Sequence, residues 1–383
     1  RLKGYIDEKP AGAQPFFAYL AFQAVHIPVQ APKEVSDRYQ GRFDAGWAAV
    51  RAARNERAKA LGLIPADAPT VGMPDFARDW NKLTPEEKAI YARAMEVYSG
   101  MLESMDASIG RLMQHLQARG ELDNTLFVVT SDNGPEFSDP VHAPGMDIWM
   151  ALHGYAWKLK GQGEKGSLNF IGRDWAAALA APSRLFKFYT TEGGLRVPLI
   201  LSGPGVAPGQ RIAAPAFVTD ITPTLVDFAG ATAGPAGVSL DGRSLKPVLT
   251  GQAKTVRGAD EPVGIEVSGN AALFRGHLKL TRVMPPLGDG QWRLFDLETD
   301  PAETKDLAKD RPELFQAMLK DYEAYEARVG VAKLPPGYTT QQQLMSNALD
   351  RQKGSIAVLA GGALVLLVGG VGFLIWRRRK ARA

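Results

Sequence analysis

The sequence predicts an α/β fold, a layered α/β/α sandwich with a smaller α+β unit toward the C-terminus, and three observations carry that prediction. From Thr84 to Gly120 apolar residues recur at three- and four-residue intervals, the signature of a long amphipathic helix. That pattern runs directly into Leu126 to Val129, a β-branched and apolar run that reads as a buried parallel strand. Beyond about Gly264 the pattern changes to short strands, at Ala272 to Val283 and Trp292 to Leu297, followed by a helix from Pro312 to Val329. Helix feeding into strand is the alternation of a layered α/β architecture.

In chain order, Pro15 to Phe22 is apolar and rich in aromatics but too short for a helix, so it is expected to be a central strand. The loop after it carries His26, for which a capping or packing role and a role in a site are both open. A helix is expected over Gly41 to Gly62, with Trp47, Val50 and Leu61 turned inward and the arginines outward. The next helix starts at Thr84-Pro85-Glu86-Glu87, where Thr84 can cap, Pro85 suits the first turn and Glu87 completes a capping box. Ile90, Ala94, Val97, Met101, Met105, Ile109, Leu112 and Leu116 form its core stripe, and Gly120 ends it. Residues 135 to 183 are irregular, with His142 and His153 among glycines and tryptophans. A further strand is expected at Arg196 to Ser202 and a short helix at Asp220 to Ala229.

Composition narrows the chemistry. There are no cysteines, which excludes disulfides, thiolate metal sites and a cysteine nucleophile within this sequence. The formal charge is +4, but Arg377, Arg378, Arg379, Lys380 and Arg382 supply five of the 45 basic residues. The remainder nearly balances the 41 acidic residues, so nucleic acid is not an expected partner. Ser355 to Trp376 is uncharged over 22 residues, about 33 Å as a helix, and therefore reads as a membrane span. The basic residues after it predict a single-pass protein with a cytoplasmic C-terminus, its body outside the cytoplasm, and the lipid bilayer as a partner. Residues 331 to 354, rich in Pro, Gln and Gly, read as the tether. The sequence starts at Arg1 without a secretory signal, and we expect it to begin inside a longer protein.

The stretch TLFVVTSDNGPE (125 to 136) is where chemistry is expected. Ligands collect at the carboxyl ends of strands in open α/β sheets, and Asp132 and Asn133 stand there with a carboxylate and an amide carbonyl. Both are hard oxygen donors suited to calcium or magnesium, although the same two residues with Gly134 also serve as a plain turn.

Five segments together resemble the sulfatases, more narrowly the arylsulfatases of the alkaline-phosphatase-like superfamily. They are PFFAYLAFQAVHIPVQAP (15 to 32), GRFDAGWAAVRAARNERAKALGLIP (41 to 65), MEVYSGMLESMDASIGRL (95 to 112), DNTLFVVTSDNGPEF (123 to 137) and SRLFKFYTTEGGLRVPLILSGPG (183 to 205). The resemblance implies a partial catalytic domain over 1–263, to which the sequence pattern adds a small C-terminal subdomain over 264–330, a linker over 331–354, the span at 355–376 and a basic tail at 377–383. It implies Ca2+, rather than Mg2+, held in part by Asp132 and Asn133. His26 and Lys187 are implied to contact the sulfate and the leaving oxygen of a small-molecule or glycan sulfate ester. Glu192, Gly193, Gly194 and Arg196 are read as structural. The family's nucleophile is a formylglycine made from Cys or Ser in a Cys/Ser-x-Pro-x-Arg motif, and this sequence lacks that motif. Residues 180 to 184 (AAPSR) end in Pro-Ser-Arg but place Ala180 where the nucleophile belongs. The nucleophile and the first metal ligands are therefore expected in a preceding part of the protein. Two alternatives stay open: a phosphatase or phosphodiesterase on the same scaffold, and a membrane-tethered remnant that binds a metal or an anion without turnover.

Overall fold

The computed structural model describes residues 1–9, 14–142, 146–232 and 239–343, and after these only 345–347, 350, 353, 354, 357, 361, 362, 377 and 380. The elements run α1 (Leu2–Asp7), α2 (Lys33–Ser36), α3 (Gly46–Ala60), α4 (Pro85–Ala118), β1 (Phe127–Thr130), α5 (Met146–Leu152), α6 (Gly172–Leu179), α7 (Glu192–Leu195) and β2 (Leu199–Ser202). They continue with α8 (Ile221–Phe228), α9 (Lys246–Leu249), β3 (Pro262–Val267), β4 (Asn270–Arg275), β5 (Leu278–Arg282), β6 (Trp292–Asp296) and α10 (Pro312–Val329).

The long helix forms as its pattern predicts. Thr84 accepts the Glu87 N–H at 3.2 Å while the Glu87 carboxylate accepts the Thr84 N–H at 2.8 Å, which satisfies two amides that the first turn leaves without partners. Ile90, Ala94, Val97 and Leu116 are buried, whereas Met101, Met105, Ile109 and Leu112 are half-buried.

The main core is aromatic. Trp47 of α3 lies edge-on to both Trp80 and Trp175, at 4.7 and 5.7 Å between centroids, and Tyr91 of α4 closes the group. Indole rings are too large to interdigitate like aliphatic side chains, so T-shaped contacts fill this volume. The arginines of α3 do not all face water. Arg51 is buried, because its guanidinium donates to the carbonyls of Val71, Ala177 and Ser183. Two of these carbonyls belong to the last turn of α6 and the loop after it, so Arg51 satisfies acceptors that a helix end would leave unpaired.

Two strand expectations are corrected. β1 pairs with β2 in antiparallel, not parallel, register, from Phe127 opposite Ser202 to Thr130 opposite Leu199. Among the described residues this sheet has two strands, so its outer faces stay open and Ile200 is 59% exposed. Residues 15–22 form no strand. Phe17 and Tyr19 are 77% and 84% exposed, because no neighbouring strand among the described residues covers the apolar run.

The C-terminal half holds a four-stranded antiparallel meander, β3-β4-β5-β6. α10 lies on one face of it, with Met318 and Tyr322 buried against Leu273, Leu280 and Leu294.

The expected membrane span at Ser355–Trp376 is also corrected. No helix of the described residues is long and apolar enough to cross a membrane. Within 355–376 only 357, 361 and 362 are described, far short of the roughly 20 apolar residues a crossing requires, and the rest of that segment lies outside the described residues. The single-pass placement, with a bilayer partner, a body outside the cytoplasm and a cytoplasmic C-terminus, loses its support.

Candidate active site

Two short segments pressed backbone to backbone build the site. Residues 133–137 follow β1, and residues 184–196 lead through α7 toward β2. The Gly134 N–H donates to Gly194 O at 2.9 Å and the Lys187 N–H to Pro135 O at 3.2 Å. A Cβ on Gly134 would lie 1.9 Å from Gly193 O, and one on Gly193 would lie 2.2 Å from the carbonyl oxygens of Arg184 and Leu185. Only glycine permits that approach, which explains the Asn-Gly and Gly-Gly pairs.

Aromatic packing then sets the polar groups. Phe137 stacks on Phe186 at 4.8 Å and meets Phe188 edge-on at 5.8 Å. Both rings flank Lys187, so holding them holds the lysine. Leu185 and Phe188 take φ of 55° and 76°, left-handed backbone that non-glycine residues rarely adopt and that clusters at functional sites.

Three side chains converge as a result. Lys187 Nζ lies 2.7 Å from Glu136 Oε2 and 3.0 Å from His26 Nε2, and His26 Nε2 is 3.2 Å from the same carboxylate oxygen. The Lys187 and Glu136 side chains are 16% and 12% exposed, whereas that of His26 is 49% exposed, so the site opens on the histidine side. His26 Nδ1 donates to Ile27 O at 3.0 Å. A carbonyl only accepts, so Nδ1 carries a proton and Nε2 is the nitrogen whose protonation can change. Neutral, it accepts from Lys187; protonated, it donates to Glu136. Burial opposes ionisation of Glu136, yet hydrogen bonds from Lys187 and Ser138 and the charge of Lys187 outweigh it, holding the carboxyl below its usual range.

Asp132 and Asn133 sit on the same turn, ahead of Glu136. Asp132 is exposed and Asn133 half-buried. The Asn133 amide donates to Gly134 O at 2.9 Å, which fixes the side chain and leaves its carbonyl oxygen as the donor for a cation. Among the described residues neither is hydrogen-bonded to His26 or Lys187. The structure therefore joins His26 to Lys187 and puts Asp132 and Asn133 on the adjoining turn. A carboxylate and an amide oxygen match a hard divalent cation in chemistry but supply only part of the six to eight oxygens calcium takes.

Glu136 escaped the sequence reading although it lies in the stretch singled out there. An acidic residue after Asn-Gly-Pro shows no periodicity, and only its distances reveal its part. His142 and His153 are accounted for structurally. His142 pairs with Asp139 at 2.7 Å, and His153 stacks on Trp149 at 4.3 Å.

One group of three metal-type ligands among the described residues lies elsewhere, at His277, Asp296 and Glu298. His277 Nε2 faces Asp296 and Nδ1 faces Glu298, each at 3.8 Å. One ring nitrogen and one oxygen from each carboxylate lie within 4.8 Å of one another, a spacing compatible with a metal ion.

Relatives in sequence and in fold define the class of protein. The chain belongs to the Sulfatase family, whose profile matches residues 1–231. It is 36% identical over 341 residues to an uncharacterized sulfatase of Schizosaccharomyces pombe, covering 86% of this chain and 61% of that one. It is 37% identical over 237 residues to an arylsulfatase of Klebsiella aerogenes, covering 60% and 49%. The solved structure of Ps i-CgsB in complex with k-i-k-neocarrahexaose shares the fold, with a TM-score of 0.54, 23% identity and coverage of 84% and 52%. The chain thus spans about half to three-fifths of the length of these proteins.

Proposed function

We propose that the chain forms the acid and cation half of an arylsulfatase-type sulfuric ester hydrolase, acting on sulfate monoesters of small alcohols, phenols or sugars. The observation that carries this reading is the contact between His26 and Lys187 beside a carboxylate–amide turn, in a chain of the Sulfatase family.

A sulfate monoester hydrolyses by attack of a nucleophile on sulfur and departure of the alcohol oxygen, which takes up a proton. Lys187 supplies a fixed ammonium for the charge that develops on the sulfate oxygens. His26, through Nε2, is placed to deliver the proton to the leaving oxygen, and Glu136 orients both donors until the ester arrives. Asp132 and Asn133 would hold part of a divalent cation, calcium by family likeness, which when bound polarises the ester. The nucleophile, a formylglycine by the same likeness, is to come from residues outside this sequence.

Turnover of an aryl sulfate by the protein expressed from its complete reading frame tests the reading. Lys187→Ala and His26→Ala are each expected to lower kcat by about 10²-fold or more. Unchanged turnover in either variant removes that residue's assigned role. A wild type that hydrolyses an aryl phosphate or phosphonate instead moves the substrate class to phosphoesters.

A further inference from the structure

We infer that Lys279, on β5 of the C-terminal sheet, is a positioning residue that holds Lys187 and the Asp132–Asn133 turn in register. This deepens the sulfuric ester hydrolase reading and rests on it for its catalytic meaning.

Lys279 is completely buried, an unusual state for an ammonium. It donates to Glu192 Oε1 at 2.8 Å and lies 2.9 Å from Glu303 Oε1, a charge contact without hydrogen-bond alignment. Glu303 Oε2 accepts the Glu192 N–H at 3.0 Å. Stability is a poor explanation for such a set, because apolar residues of equal volume often do as well. Its location offers a better one.

Glu192 is the first residue of α7, and the turn of chain just before α7 carries Lys187. Two residues further on, Gly194 O receives the Gly134 N–H, next to Asn133. One contiguous path therefore runs from Lys279 through Glu192 and α7 to both halves of the site. The same sheet ties the segment down at neighbouring points: Asn270 Nδ2 donates to Phe188 O at 2.8 Å, and Thr190 Oγ1 donates to Ala271 O at 3.1 Å. Leu185 and Phe188, in left-handed backbone on either side of Lys187, keep that conformation only while such ties persist.

The test is nuclear magnetic resonance on this chain, following the His26 ring and the Gly134 and Lys187 amides. Lys279→Met alone strands two buried carboxylates and risks unfolding, so the decisive variant is Lys279→Met/Glu192→Gln/Glu303→Gln, which removes all three charges together. The expected result is a folded protein with His115 and His153 ring signals unmoved and the His26, Gly134 and Lys187 signals displaced. Wild-type positions for those three signals in the folded triple variant overturn the inference. Should the triple variant not fold, Glu192→Gln, which keeps the side-chain shape and the Lys279–Glu303 contact, is read by the same criterion. In the full-length enzyme the positioning variant should lose about a hundredfold in kcat, the scale of an ångström-sized misplacement. A wild type without sulfatase turnover defeats the functional reading and leaves the resonance result standing, so the two failures are distinguishable.

Discussion

The ring of Phe137 lies parallel to that of Phe186, with centroids 4.8 Å apart and planes inclined by 23°, and this stack is what brings Glu136 to Lys187. Each charged residue is the chain neighbour of one of the rings. Phe137→Ala should therefore act twice, destabilising the chain by about 3 kcal/mol and loosening the Glu136–Lys187 pair. Urea denaturation measures the first effect. A loss below about 1 kcal/mol would show that the stack is not what holds these segments together.

Two glycine substitutions should differ in sign. Gly134→Ala drives a Cβ to 1.9 Å from a backbone oxygen that cannot swing away, and is expected to abolish folding or cost several kcal/mol, about 4 or more. Gly110 lies within α4 with nothing within 4 Å of an added Cβ, so Gly110→Ala should stabilise by about 1 kcal/mol through helix propensity. Thermal melts of the two variants decide the matter, and equal effects would refute the packing argument.

Arg51→Lys keeps the charge but not the fork. Burial pushes the Arg51 guanidinium down to about 10, and it satisfies carbonyls that one ammonium cannot reach together. A loss of about 2 kcal/mol in chemical denaturation is expected, from acceptors left unpaired in the interior. A neutral result would mean that water replaces the missing donors.

Acid should expose the part played by Glu136. Its folded pKa lies below the ordinary value of 4.5, so its ionisation stabilises the native state fully well above pH 4.5. That contribution disappears as the pH falls below 4.5 and through the lower folded value. The stability difference between wild type and Glu136→Gln, measured across that range, should shrink toward acid pH. A difference that stays constant would mean that the carboxylate contributes through shape alone.

Much of this was legible in the residues. The capping box at Thr84 and Glu87 is local, so its spacing is enough to find it, and the turn at Asp132–Asn133 is marked by an abrupt change from apolar to polar. Pairing direction is not local. The apolar run of β1 reads the same with a parallel or an antiparallel partner, and only the three-dimensional path of the chain to Leu199 decides. Glu136 and the Lys279–Glu192–Glu303 set were invisible for a related reason: charged residues far apart in sequence become partners only after the apolar segments between them have packed. Arg51, one arginine among several on α3, had nothing in its helical position to distinguish it from its solvated neighbours.

The open flanks of the β1–β2 ribbon have a practical consequence. Strand edges without a further ladder partner among the described residues are a template for another chain to add a strand, and the exposed aromatic side chains of Phe17 and Tyr19 add apolar surface for it to cover. Prepared by itself, this polypeptide is therefore expected to self-associate as it is concentrated. Dilution series belong beside every measurement on it, because crowding could otherwise be mistaken for chemistry.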